Sequence, residues 1–267
     1  MKNALTIITL LTSLAGAQAQ VLINAPSTNY TVTFDATLTG VSNGQFAGTG
    51  FQATPVAGQL DSDAWAFTGW SDGDLAFGGN RTTATTDYTR GNVSAAQGTG
   101  GIYSYGTTDR QLMIQPGGSD FAPGNMTLRV QNNTGSLLNS FTVSYELYVR
   151  NDAARSSSFN FSYSTDGTSF TNVSTGLFQY TSPTTADALG WRSLGTPQTT
   201  LSASVASGDF FFMRWSGARV SGTGIDDEFG LDDITVNAVP EPSALALLSL
   251  GCFTLLLLRR GRRHRLA

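Results

Sequence analysis

The single cysteine, Cys252, and the single histidine, His264, both fall near the C-terminal end of the chain. Upstream of them no imidazole or thiol can serve as base, nucleophile or ligand, which excludes Ser-His-Asp and Cys-His catalysis and His or Cys zinc sites. What survives is carboxylate chemistry, either a glycosidase pair or a hard-cation site. Glu146, Glu228 and several aspartates are available for the first, although Glu146 shares a strand face with Thr142 and Ser144, where solvated carboxylates are common. For the second, Asp226, Asp227, Glu228, Asp232 and Asp233 place five carboxylates within eight residues. Oxygen ligands at that density suit Ca²⁺, with Asp232 joined by loop oxygens from Asp226, Asp227 or Glu228. Calcium is the one cofactor this set could take, and none is required. The competing expectation is an ion pair. If Ile234 and Val236 face the core, Asp232 lies on their side of the strand, and Arg214, on the face of Phe210 and Phe212, supplies its partner. Asp61-Ser62-Asp63 and Asp72-Gly73-Asp74 are shorter acidic pairs that read better as turns than as part of a calcium loop. Stacking is the remaining option. Trp65, Trp70 and Trp191 lie in loop-like sequence, where an indole either holds a sugar ring by its face or fills the core.

Strands must position these residues. Thirty glycines and only 13% charged residues are unlike a helical protein, whose exposed faces carry Glu, Lys, Gln and Arg. Tyr30, Val32, Phe34, Ala36 and Leu38 alternate with polar residues over nine positions. Phe141, Val143, Tyr145, Leu147 and Val149 do so against Thr142, Ser144, Glu146, Tyr148 and Arg150, and Met126, Leu128 and Val130 repeat the pattern briefly. Phe159, Phe161 and Tyr163 lead through Asp166-Gly167 to Phe170 and Val173, a hairpin signal. Phe210 to Trp215 is apolar on both faces, as a central strand requires. No segment carries a convincing helical period and no fixed repeat is present. The expected fold is all-β, a jelly-roll-like antiparallel β-sandwich.

The two ends read differently from the middle. Lys2, an apolar run from Ala4 to Ala15 and small residues at Ala17 and Ala19 form a secretory signal, so residues 1–19 are expected to be removed. At the other end, the apolar stretch from Ser243 to Leu258 is about 24 Å long as a helix, short but usable as a span. Arg259, Arg260, Arg262 and Arg263, followed by Arg265, stop transfer and stay in the cytoplasm, leaving the preceding domain outside. Pro240 and Pro242 fix φ, which holds Pro240-Glu241-Pro242 extended, outside both the last strand and the helix. The exported domain then covers residues 20–238 and the tail 239–267. Residues 20–239 hold nine arginines and 18 acidic residues (19 less Glu241), a formal charge of −9. Nucleic acid and anionic lipid are poor partners for such a surface.

Val239-Pro240-Glu241-Pro242-Ser243, a hydrophobic helix and an arginine-rich end, in that order, resemble the PEP-CTERM sorting tail. The resemblance implies recognition and processing near Pro-Glu-Pro by an exosortase, in Gram-negative bacteria that make exopolysaccharide. Asn132-Asn133-Thr134-Gly135, Phe141 to Tyr145, Met213-Arg214-Trp215 and Gly230 to Ile234 are similar to an extracellular jelly-roll-type domain placed before such tails. That family implies a fold and no activity.

Taken together, these features lead to a non-enzymatic surface or matrix protein, exported to an inner-membrane intermediate with its domain outside and then released to the cell surface or medium. The alternative is a carbohydrate-binding module for exopolysaccharide, followed by a carboxylate glycosidase.

Overall fold

The computed structural model describes residues 21–240, so the expected signal peptide over residues 1–19, Glu241, Pro242, the apolar C-terminal stretch and the terminal arginines lie outside the described residues. The described chain runs through β1 (Val21–Ile23), β2 (Asn29–Val32), β3 (Ser42–Asn43), β4 (Phe51–Gln52), β5 (Gln59–Asp61), β6 (Trp65–Thr68), β7 (Asn92–Val93), β8 (Gly101–Tyr105), β9 (Gln111–Gln115), β10 (Gly124–Asn132), β11 (Leu138–Arg150), β12 (Arg155–Ser164), β13 (Thr171–Asn172), β14 (Gln179–Thr181), β15 (Arg192–Gly195), β16 (Gln198–Val205), β17 (Phe210–Gly222) and β18 (Glu228–Pro240). One 3₁₀ turn, Gly176–Phe178, is the only helical piece among the described residues.

Two sheets carry the architecture. The first has the order β1-β10-β17-β12-β13, with β6 beside β10 and β14 beside β12. The second has the order β15-β11-β18-β9-β8-β7, with β16 beside β11 and β2 beside β18. Pairing is antiparallel except for β1 on β10, β4 on β5 and β7 on β8. The alternation of β11 sets one inner face. Phe141, Val143, Tyr145, Leu147 and Val149 are buried, while their polar neighbours are half-exposed. β17 sets the other through Phe211, Met213 and Trp215. Rings join the sheets. Phe141 stacks on Phe211 at 4.2 Å, Phe159 on Phe229 at 5.1 Å, and Tyr145 meets Trp215 edge-on at 5.4 Å. The all-β sandwich expected from the alternation is therefore present, with β17 central in its sheet.

A small third sheet, β3-β5-β4, fills the segment between β2 and β6. Its strands are two or three residues long, too short for any period to show in sequence. Phe34, Phe46, Phe51, Trp65, Phe67 and Tyr88 extend the main core beneath it.

Three local expectations are corrected. The strand read over residues 30–38 stops at Val32, and Phe34 takes a left-handed φ of 42°. Phe34 is still buried, against Phe46 and Trp65, its carbonyl accepting the Phe46 N–H at 2.8 Å, and just past the turn Asp35 accepts the Arg110 N–H at 2.7 Å. A turn has reproduced the burial that alternation would give. At the C-terminal end, β18 runs through Pro240, opposite Leu138, past the boundary expected at 238. Proline tolerates the end of a strand, where the N–H it lacks is not needed by the ladder. The Asp166-Gly167 turn is as expected. Gly167 has a φ of 70°, and the Asp166 carboxylate accepts from the Thr168 and Ser169 N–H groups at 2.7 Å. These bonds hold that carboxyl down at about 2. The third correction concerns Asp232 and belongs with the site.

Candidate functional site

The outer face of the second sheet is built from the polar side of β11. Glu146, Tyr148 and Arg150 stand opposite Asp232, Gly230 and Glu228 of β18. Beyond β18 the same face continues onto Gln111 of β9 and Tyr105 of β8, which pair with each other. Trp191, placed by Gly190 at φ 69° just before β15, folds across this floor. Its ring lies near-parallel to Tyr148 at 5.7 Å and 12°, and 4.7 Å from Tyr105 at 30°. The indole N–H donates to Gln111 Oε1 at 3.3 Å. Gly230 makes room, since a β-carbon there would lie 2.5 Å from the Trp191 ring. Arg150 donates to the Tyr105 hydroxyl at 3.1 Å. The result is a row of three half-buried rings with carboxylate, amide and guanidinium groups at its sides.

Asp232 reaches this face through a bulge. Leu231 and Ile234 are both buried, and Asp233, at φ 47°, is the extra residue between them. The register shifts between Ser144 and Glu146 for the same reason. Counting by twos back from Ile234 and Val236 therefore assigns Asp232 to the wrong face, and the expected Arg214–Asp232 bridge is absent. Arg214 belongs to the other sheet, 3.4 Å over the Phe170 ring, and donates to Thr127 Oγ1 at 3.2 Å. Asp232 is 2% exposed, and its one hydrogen bond comes from the Asp233 N–H at 2.8 Å. Burial pushes its carboxyl up to about 8, and the neighbouring acids Asp233, Asp109 and Asp35 add to the rise.

The expected calcium ligands disperse. Asp226 is taken by Arg219, whose Nε donates at 2.8 Å, and by Ser157 Oγ at 3.2 Å. Asp227 accepts from the Ala153 N–H at 3.3 Å and Glu228 from the Gln97 N–H at 2.8 Å. Burial pushes Asp227 up to about 6 and Glu228 to about 7. Among the described residues no group of three or more such ligands is placed to hold a metal ion. The shorter acidic pairs build turns: Asp61 accepts the Asp63 N–H, Asp72 the Asp87 N–H and Asp74 the Gly69 N–H.

Of the three tryptophans, Trp65 is 0% exposed beside Phe67, and Trp70 is 5% exposed against Phe121. Neither offers a face to a ligand, and both serve the core. Trp191 alone is at the surface. Tyr148, Tyr105, Gln111 and Gly230 were not expected at a site. Tyr148 carried a signal, as the one aromatic residue on the polar parity of β11. Tyr105 and Gln111 carried none, because only the sheet order brings them to Trp191.

No family model and no curated protein matches the chain. Among solved structures it is similar to a cleaved adhesin domain of Lys-gingipain from Porphyromonas gingivalis, at 14% identity and a TM-score of 0.34, over 79% of this chain and 98% of that one. It is also similar to the CBM22-1 xylan-binding domain of Paenibacillus barcinonensis Xyn10C, at 14% identity and 0.32, over 56% and 91%. A third is CBM28, a carbohydrate-binding module specific for non-crystalline cellulose, at 9% identity and 0.33, over 55% and 86%. These scores are low, and the assignment of fold rests on the sheets themselves.

Proposed function

We propose that this protein is a non-catalytic carbohydrate-binding β-sandwich of jelly-roll type, exported and sorted through its C-terminal tail. The observation that carries the binding role is the ring row of Tyr148, Trp191 and Tyr105 on one sheet face. Aromatic faces take the apolar face of a pyranose, and polar side chains beside them take its hydroxyls. Glu146 and Arg150, both half-buried, are those side chains, while Gln111 fixes the indole from below. A glycosidase is less well supported. Glu146 and Asp232 do face each other across the β11–β18 ladder, but Asp232 is 2% exposed, out of reach of a glycosidic oxygen.

Binding is tested on a glycan array followed by affinity electrophoresis. The wild type should retain at least one bacterial or plant polysaccharide without shortening it. Trp191→Ala should weaken retention by about 10- to 100-fold, the loss of one stacking ring in a small site. Gly230→Ala should act in the same direction, because its methyl group displaces the indole from the sheet. Retention unchanged in both variants would overturn the platform.

The sorting role rests on the order of segments at the two ends. An exosortase would process the chain at Pro240-Glu241-Pro242 after residues 1–19 have directed export. Residues 243–258 and the arginines from Arg259 onward would hold the inner-membrane intermediate, and the nearby exopolysaccharide is the natural ligand. Replacing Pro240, Glu241 and Pro242 by alanines should leave export intact and stop trimming of the C-terminal end, read by mass spectrometry. Normal trimming of that variant would remove the sorting role.

A further inference from the structure

Glu146, Asp233, Asp109 and Asp35 gather around the Trp191 platform and the buried Asp232, and none of the four is in an ion pair among the described residues. Glu146 stands across the ladder from Asp232. Asp233, Asp109 and Asp35 all lie close enough to Asp232 to repel its charge, and Asp233 is repelled in turn by Glu146, Asp109 and Asp35. Tyr148, whose ring stacks on Trp191, is in the field of Glu146, Asp109 and Asp232. The platform and the acids are therefore one surface.

No arginine nearby forms an ion pair with these acids. Arg150 lies over the Tyr105 ring and donates to its hydroxyl, and Arg192 pairs with Asp187 at 2.9 Å. Arg110 gives Asp35 only its backbone N–H. Asp232 keeps its proton up to about 8 among these acids, through burial first and their repulsion second. It is buried to 2%, aimed at the same face as Glu146, and bonded only to the amide of its own neighbour. It is therefore neutral at about pH 6, and the negative charge of this face belongs to Glu146 and the acids around it.

Granted the carbohydrate platform proposed above, we infer that its ligand is a polysaccharide carrying free ammonium groups, an amino-sugar polymer lacking N-acetylation, and that uronate chains are repelled. The rings would hold the sugar faces, while Glu146, Asp109, Asp35 and Asp233 attract the ammonium groups. The formal charge of −9 over residues 20–239 adds a long-range field of the same sign.

The test titrates the full chain, in mild detergent at about pH 6, where exposed carboxylates are ionised and amines protonated. The probes are oligomers of glucosamine, N-acetylglucosamine and galacturonate of equal length. The glucosamine oligomer should bind about tenfold more tightly than the N-acetylated one, with the galacturonate oligomer failing to bind. The gap should close in about 0.5 M salt and narrow in a Glu146→Gln, Asp109→Asn double variant. If the N-acetylated or galacturonate oligomer binds as well as the glucosamine oligomer, and that binding is lost in Trp191→Ala, the charge inference falls while the platform stands. A gap that persists in high salt also overturns the charge inference. Glucosamine binding that survives Trp191→Ala overturns the platform instead, because adhesion would then rest on the acids alone.

Discussion

Asp232→Asn is expected to stabilise the folded domain at about pH 8.5 by about 2–4 kcal/mol and by only a fraction of that at about pH 5. The folded state holds this carboxyl's proton up to about 8, against 3.8 for an ordinary aspartate, because burial disfavours the anion. Between those two values the native state binds more protons than the unfolded chain. Stability contributed by the neutral acid is therefore full at low pH, declines as pH rises through that window, and is gone above it. Glu228, pushed to about 7, and Asp61 and Asp227, pushed to about 6, act in the same sense. The wild type should be most resistant to urea in weakly acidic solution. Asparagine cannot ionise, yet its side-chain oxygen can still accept the Asp233 N–H. Urea melts followed by tryptophan fluorescence at both pH values check this, and parallel pH profiles for variant and wild type would overturn the assignment.

Arg219→Met should cost about 3–5 kcal/mol, because it strips the principal partner from Asp226, which is 1% exposed. Arg155, 3.5 Å away, and Ser157 remain and are too few to hold a buried anion. Adding Asp226→Leu should recover much of the loss, since an apolar side chain needs no counter-charge. The control is Arg192→Met. Its partner Asp187 lies at the surface, where water screens the pair, so the melting midpoint should barely move. Equal costs at Arg219 and Arg192, or no recovery in the double variant, would contradict the burial of Asp226.

Both variants concern residues whose surroundings the sequence disclosed only in part. β11 was legible from Phe141 to Arg150 because one face is buried and the other wet, and a period of two survives over the whole strand. β17 was legible as central because residues on both of its faces are apolar. Asp232 was read on the wrong face because a single residue, Asp233, breaks the period, and a bulge has no sequence signature as strong as an alternation. Phe34 was read as buried, correctly, by way of a strand that is a turn. Trp65 and Trp70 looked like loop residues because β6, which Trp65 opens, is only four residues long and Trp70 lies just past its end. Trp191 could be nominated but not placed. Its partners come from β8, β9, β11 and β18, and only the pairing of strands distant in sequence makes them neighbours.

The course of β18 has a mechanical consequence. Gly230, under the Trp191 ring, and Pro240, beside the start of the tail, lie on this one strand. For a molecule held at its C-terminal end while a polysaccharide pulls on the platform, tension passes along β18 and loads it in shear. Hydrogen bonds to β11 flank one side of the strand, and bonds to β9 and β2 flank the other. Many ladder bonds must then rupture together, whereas a strand loaded from its end as a peeling flap loses them singly. The first sheet stands outside that path and carries little of the force.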